Sequence, residues 1–556
     1  MDKPWLRAYP PGIPASLDLD PGESVLDVLD RALALYGDRP AFSNLGQTIT
    51  YRELDVLHRR FATWLQSLPG VAPGDRVAIM LPNLLQYPVA LFGAWRAGLV
   101  AVNVNPMYTA PELEHQLNDS GARVLVVLAQ RAGVYESIRD RVGVQHVLVT
   151  GVGDLLGFPR SVLTNAVMRY VRRLPTPPVP GAVHWSAVAG CDPGDFRQPA
   201  RATGADLACL QYTGGTTGRS RGAMLTHSNL VANIRQINTW FAAKRIDGDE
   251  LMITPLPLYH VYALMCNCLC YMATGGHNVL ITDPRNIKGL IAELKRWPFT
   301  AITGVNTLYQ AMVEHPDLAS VDFSTLKIAS AGGMAVMPAT AKRWVEITGV
   351  MIHEGYGLSE TSPVVTINPY TLTEWNGSIG LPLPDTVVSL RNDGSTEVPP
   401  GEPGEICVKG PQVMAGYWND DAATANAMTA DGFLRTGDVA VMDEQGYFRI
   451  VDRMKDMIDV SGLKVYPNEV EAAITHHPAV LEAACIGVPD ERTGEAVKLF
   501  VALRPGQAIR PDEVKDFLRG RLAPYKIPRH VEFRESLPKS NVGKILRREL
   551  REPSGH

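Results

Sequence analysis

A run near the middle of the chain, Tyr212-Thr213-Gly214-Gly215-Thr216-Thr217-Gly218-Arg219-Ser220-Arg221-Gly222, has the residue types that hold phosphate. Its glycines let backbone N–H groups approach phosphate oxygens, its threonine hydroxyls add donors, and Arg219 and Arg221 bring positive charge. LACLQ before it and AMLTHSNLVANI after it read as a strand, this loop and a helix. No Gly-Lys-Ser/Thr follows, so the ordinary Walker pattern is absent, and the run by itself fits a Gly/Thr-rich surface turn equally well. Four more side chains could do chemistry. Glu360, in EGYGLSET, could give a hard cation the oxygen it requires or could cap a helix. Asp438, in RTGD, could accept hydrogen bonds through both carboxylate oxygens or bond its own turn. His260, closing PLPLYH, could line a site or sit satisfied in a core. Lys544 shares its stretch with Lys539, Arg547 and Arg548, which by default reads as a solvated face.

The elements that must position these groups are those of a large α/β protein. A chain of 556 residues exceeds what one core supports, so two or more domains are expected. DRVAIML, ARVLVVL, QHVLVT and TAITGV alternate with helix-period segments such as YRELDVLHRRFATWLQSL, which argues for α/β layers up to about Arg453. LPTPPVPG reads as an extended surface connection. After RIVDRMKDMIDVSG the character changes: PNEVEAAITHH and PDEVKDFLRGRL have helix signals, and AACIGV and AVKLFVAL are β-rich, as in a small α+β domain. The domains expected are therefore residues 1–453 and 454–556.

Composition excludes some partners. Lys and Arg number 53 against 58 Asp and Glu, for a net charge of -5, without the basic excess that nucleic acid would favour. The seven cysteines, Cys191, Cys209, Cys266, Cys268, Cys270, Cys407 and Cys485, show no Cys-x-x-Cys spacing, and the reading is a reducing cytosol. Cys266, Cys268 and Cys270 fall in an apolar run and read as packing residues. MDKPWLRAYPPGIP has no apolar segment after its basic residues, so no secretory signal is expected. The most apolar stretches are interrupted by Arg96, Asn267, Gly275, Gly276 and His277, poor material for a membrane span.

Six segments, namely the Tyr212–Gly222 run, PLPLYH, EGYGLSET, LRTGD, DRMKDMIDVSG and PKSNVGKILRREL, stand in an order that resembles the acyl-adenylate-forming enzymes over nearly the whole chain. GVNTLYQAMV, GSIGLPLPDT, VPPGEPGEICVKGPQVMAGYW and SGLKVYPNEVE resemble in particular the bacterial long-chain fatty-acid–CoA ligases. The resemblance implies a large N-terminal α/β domain and a small mobile α+β C-terminal domain. It implies that Thr213, Gly214, Gly215, Thr216, Thr217 and Gly218 hold the β- and γ-phosphates of ATP, with Arg221 where the family usually has Lys. Those two cations are not interchangeable. Tyr356 would lie against adenine, Glu360 would hold Mg²⁺ with Thr213 as a lesser candidate, Asp438 would accept from both ribose hydroxyls, and Arg453 would make a second contact to ribose or phosphate. Lys455 stands at the family's hinge. Lys544 would reach the acid carboxylate and α-phosphate in one arrangement, and Gly462 would come to the coenzyme A entrance in the other. His260 would line the acid site. Some family members carry a tryptophan gate four residues beyond that histidine, where this chain has Leu264.

The reaction implied is activation of a medium- or long-chain fatty acid as an acyl-adenylate, with release of pyrophosphate, then transfer to coenzyme A with release of AMP. No covalent enzyme nucleophile is needed, so no cysteine has a catalytic role. Three alternatives stay open: an adenylating enzyme that serves a carrier protein or stops at the adenylate, a ligase for aryl or short branched acids, and a fatty-acid and nucleotide sensor without turnover. The resemblance also makes room for a cytoplasmic protein peripheral on the inner face of the cell membrane, and for a homodimer. The sequence shows no amphipathic anchor that would hold it there.

Overall fold

A computed structural model of the chain describes residues 3–172, 174, 177–213, 220–392, 394–461, 463–490, 492–539 and 545–551, with residue 455 described through its backbone. The chain divides into two compact units, one of Tyr9–Thr386 and Lys409–Ala427, the other of Met1–Ala8, Val387–Val408 and Met428–His556.

Two sheets organise the larger unit. Strands Val183–His184, His146–Thr150, Ala122–Leu128, Arg76–Met80, Val100–Asn103, Leu207–Thr213 and Arg221–Thr226 lie side by side in that order, parallel except for the last pair. ARVLVVL is apolar almost throughout because a parallel sheet is covered on both faces, and Val102, Leu125, Val127 and Leu210 meet in its core. The second sheet has nine strands, among them Leu251–Thr254, Ala301–Gly304, Ile328–Ala331 and Ile352–Gly357, which run parallel. Tyr51–Gln66 is the helix expected from its periodicity. Thr50 and Glu53 form a capping box, and Leu54, Phe61, Ala62 and Leu65 are buried along one side.

The phosphate-type loop departs from the strand, loop and helix reading. Strand Leu207–Thr213 is followed across the loop by a second strand, Arg221–Thr226, antiparallel to it and in register with Thr213 opposite Arg221. The helix starts only at His227, where Thr226 takes the N-cap and exchanges hydrogen bonds with Asn229. AMLT is too short for its period to separate strand from helix, and the capping residue decides where the helix begins.

The smaller unit holds an antiparallel sheet whose last three strands are Gly404–Lys409, Leu434–Met442 and Phe448–Arg453. It also holds a sheet of Leu463–Val465, Ile458–Val460, Gly494–Leu503 and Val480–Asp490, with His530–Arg534 beside Gly494–Leu503. Helices Pro467–Thr475 and Pro511–Arg519 pack over the latter through Val470, Ile474, Val514 and Leu518, matching the α+β reading of this region. Trp5 belongs to this unit: it is buried, 6.1 Å from the ring of Phe448.

Cys268 and Cys270 lie in a continuous helical run and are buried, and burial pushes the Cys270 thiol up to about 12, as suits packing residues. Among the described residues no helix is long and apolar enough to cross a membrane.

Candidate active site

In the larger unit the structure brings several of the chosen residues to the ends of neighbouring strands. Thr213 ends its strand opposite Arg221. The single turn Ser359–Thr361, which carries Glu360, packs against both of these strands. Tyr356 stands just before that turn on strand Ile352–Gly357, opposite Thr366. The turn needs Gly357, because a Cβ built there would overlap the carbonyl oxygen of Pro363. The loop that carries His260 is tied to the same place: Gln211, two residues before Thr213, donates to the carbonyl of Tyr259 at 3.1 Å. His260 itself is exposed, and its Nδ1 accepts from the amide of Tyr262 at 3.4 Å. Leu264, at the place of the family's gate, is buried.

One residue that sequence reasoning missed organises this cluster. The hydroxyl of Tyr417 donates to Glu360 Oε1 at 2.8 Å. Burial, then the charge of Glu360, raises the Tyr417 pKa, so the phenol stays a donor at neutral pH. The chain around it runs along strand Arg221–Thr226: Ala415 donates to the Met224 carbonyl at 3.0 Å, and Trp418 to the Gly222 carbonyl at 2.8 Å. Met414 donates to the carbonyl of Glu360 itself at 2.8 Å. Arg221 joins the same group. Its Nε donates to Asp420 Oδ2 at 3.0 Å, and its guanidinium lies 5.8 Å from the centre of the Tyr417 ring. Arg221 thus meets a carboxylate and an aromatic face at once. The tract VMAGYW is visible in sequence, but 57 positions separate Tyr417 from Glu360 and no spacing rule links them.

The Tyr417 contact makes a prediction. A hydrogen bond to a charged partner is worth roughly 1.5–3 kcal/mol, so if Glu360 holds Mg²⁺ beside ATP, as the resemblance implies, Tyr417→Phe should weaken the apparent affinity for Mg·ATP by about ten- to a hundredfold. The measurement is a Mg²⁺ titration of pyrophosphate release. An unchanged midpoint would show that Tyr417 does not hold Glu360 in place.

Glu354 opens the same motif and was also overlooked. It is buried, and neutral donors occupy its two oxygens: the Val336 amide at 2.9 Å and the Trp375 indole at 2.6 Å. Burial raises its pKa to about 7, against the pull of those two bonds. It fastens the loop before helix Pro338–Thr348 and the Trp375 segment to the strand that carries Tyr356.

In the smaller unit Asp438 and Arg453 face each other across adjacent strands, Arg453 Nε lying 3.1 Å from Asp438 Oδ1. Just before Asp438 the pairing of strand Leu434–Met442 with strand Gly404–Lys409 shifts register; Gly437, whose φ is +71°, sits at this irregularity, and Glu405 Oε1 accepts from its amide at 3.1 Å. The next residues along the chain are held by Arg547. Its Nη1 reaches Asp452 Oδ1 at 3.1 Å and Asp456 Oδ2 at 3.4 Å, and its Nε and Nη2 bind both oxygens of Glu471 at 3.0 and 2.7 Å. Its Nη2 also donates to Asn468. Arg547 therefore does not belong to a solvated face, as its basic neighbourhood suggested: its side chain is 14% exposed and that of Asp452 is 0% exposed. Four polar partners compensate the guanidinium for leaving water.

Gly214, Gly215, Thr216, Thr217, Gly218, Arg219, Gly462 and Lys544 lie outside the described residues, as does the side chain of Lys455.

Comparison with known proteins bears on the family. The AMP-binding enzyme family matches residues 29–418, and the AMP-binding enzyme C-terminal domain matches residues 469–544. A long-chain-fatty-acid–CoA ligase of Escherichia coli O6:H1 is 50% identical over 99% of this chain and 98% of its own length. Among solved structures, ATP-bound MatB from Rhodopseudomonas palustris superposes with a TM-score of 0.82 at 30% identity, covering 95% of this chain and 98% of its own. The anthranilate CoA ligase AuaEII in complex with anthranoyl-AMP does so with a TM-score of 0.83 at 25% identity, covering 96% and 97%. With both family regions matched in order and half of its residues shared with a full-length relative, the chain belongs to the AMP-binding enzyme family.

Proposed function

We propose that this protein activates a medium- or long-chain fatty acid with ATP as an acyl-adenylate and transfers the acyl group to coenzyme A, releasing AMP and pyrophosphate. The reading rests on one observation: half of the residues are shared, across nearly the entire length, with a long-chain-fatty-acid–CoA ligase. In the first step a carboxylate oxygen of the acid attacks the α-phosphorus and pyrophosphate leaves. In the second the sulfur of coenzyme A attacks the acyl carbonyl, AMP leaves, and the thiol proton passes to solvent.

The chain's own residues take these roles in the proposal. Thr213, Gly214, Gly215, Thr216, Thr217 and Gly218 cradle the β- and γ-phosphates, Arg221 adds charge while bracing Tyr417, and Tyr356 lies against adenine. Asp438 accepts from the ribose hydroxyls with Arg453 beside it. His260 lines the acid site. Lys544 stabilises the charge that develops as the carboxylate attacks. Residues 454–556 turn about Lys455 between the two steps, which withdraws Lys544 and brings Gly462 to the coenzyme A entrance.

Glu360 suits Mg²⁺: it is a carboxylate fixed by a neutral hydroxyl, next to the end of the phosphate-loop strand, and a hard cation that shares one protein carboxylate with nucleotide phosphates needs such a group. Thr213 is the second candidate ligand. Mg²⁺ bound there neutralises charge on the polyphosphate. We place the protein in the cytoplasm and on the inner face of the cell membrane, where a fatty-acid substrate partitions.

The deciding assay follows AMP and pyrophosphate release from palmitate and Mg·ATP, with and without coenzyme A. AMP turnover that requires coenzyme A is expected. Pyrophosphate release that coenzyme A does not accelerate would overturn the transfer step in favour of a carrier protein. No product with any fatty acid would overturn the activity.

A further inference from the structure

The helix Arg160–Ala166, continued by Val167–Val171, reverses the pattern of a helix that meets water. Its polar side turns inward. Asn165 donates to Asp154 Oδ1 at 2.8 Å and accepts from the Gly153 amide at 2.9 Å, and Ser161 and Thr164 are partly buried beside it. Its apolar side turns outward. Phe158 is 89% exposed, Val162 62%, Leu163 65%, Tyr170 69% and Val171 71%. Such clustering on one helical stretch differs from the single exposed hydrophobes common on protein surfaces, and it corrects the expectation of no amphipathic anchor: the face forms only because the Asn165 side is tied inward to Asp154 and Gly153. The turn at Leu45, half-exposed, stands beside the helix start, where Arg160 donates to the Gly46 carbonyl at 2.7 Å.

The charge around this face has one sign. From residue 155 to residue 191 the sequence has no Asp or Glu and four arginines, Arg160, Arg169, Arg172 and Arg173, in a chain whose net charge is -5. Arg169 and Arg172 are exposed at the helix end, the Arg169 guanidinium 5.4 Å from the Tyr170 ring. A second copy docked by two-fold symmetry would set this arginine cluster against itself. An anionic lipid surface matches both properties, since it accepts apolar side chains at the acyl boundary and arginines at its phosphates.

We propose that Phe158, Val162, Leu163, Tyr170 and Val171 are the surface through which the protein lies on an anionic bilayer, with Arg169 and Arg172 at the headgroups. This rests on the peripheral membrane reading above and specifies the face that carries it.

The test is co-flotation of the full chain with phosphatidylcholine vesicles, with and without phosphatidylglycerol. The wild type is expected to float with the anionic vesicles and to lose binding as salt rises. Leu163→Ser/Tyr170→Ser should lower partitioning by about tenfold or more, and Arg169→Glu/Arg172→Glu by about as much on anionic vesicles alone. All four side chains are exposed, so both variants should keep wild-type turnover of palmitate delivered on albumin. Wild-type protein that floats with neither vesicle would overturn the membrane reading and the face together. Wild type and variants floating equally would overturn the face alone. A dimer by light scattering that Leu163→Ser/Tyr170→Ser converts to monomer, with flotation unchanged, would make the face a contact between copies and overturn the proposal.

Discussion

Glu360→Gln is expected to lower acyl-adenylate formation by about three orders of magnitude while leaving the fold intact. The substitution keeps the shape of the side chain, and its amide oxygen can still accept from Tyr417 as Oε1 does at 2.8 Å. What disappears is the negative charge. In the proposed site a hard cation shared between this carboxylate and the nucleotide would depend on that charge, and metal stabilisation of a phosphoryl transition state amounts to several kcal/mol, with each 1.36 kcal/mol a factor of about ten. The loss should fall on the first half-reaction: transfer from preformed acyl-adenylate to coenzyme A should remain within about threefold of wild type, since that step uses no triphosphate. Part of the rate should return at high Mg²⁺. A variant that kept more than a tenth of its adenylation rate at limiting Mg²⁺ would remove Glu360 as the metal ligand.

Arg547→Ala should be the most damaging single change to the smaller unit. Arg547 answers three carboxylates, Asp452, Asp456 and Glu471, and burial already pushes the Asp452 and Glu471 pKa values upward against its pull. Removing the cation leaves those charges in a poorly solvated place, which costs about 3–5 kcal/mol. Both carboxyls then hold protons more tightly than in the unfolded chain, so the deficit should grow as pH rises through their folded pKa values and shrink in acid. A melt of the full chain mixes two units, so the clean readout is amide hydrogen exchange in strand Gly494–Leu503, where protection should fall a hundredfold or more. A change below about 1 kcal/mol would mean that water replaces the guanidinium. Arg547→Lys keeps the charge and loses the fork, and should fall between the two.

Much of this was legible in the sequence where the information is local. ARVLVVL and YRELDVLHRRFATWLQSL announce a buried strand and a capped amphipathic helix, because burial on two faces and on one leaves different periods. Asp438 and Arg453 were each found from short motifs, but their ion pair follows from strand register across a turn, which no motif encodes. Tyr417 and Arg547 were missed for a related reason. Their partners lie 57 and 95 positions away, and a tyrosine or arginine carries no mark of the carboxylate it will meet. Glu354 stood inside a recognised motif, yet its burial among neutral donors depends on Trp375 and Val336, which arrive from other loops.

The address of Trp5 also bears on how the protein is made. Its ring is buried beside Phe448, so Trp5 leaves the ribosome hundreds of residues ahead of its packing partner. At roughly 5–20 residues per second, that interval is on the order of half a minute to a minute and a half. Throughout it the Trp5 ring lacks the strand beside which it is buried. Burial of Trp5 therefore waits until strand Phe448–Arg453 has been made.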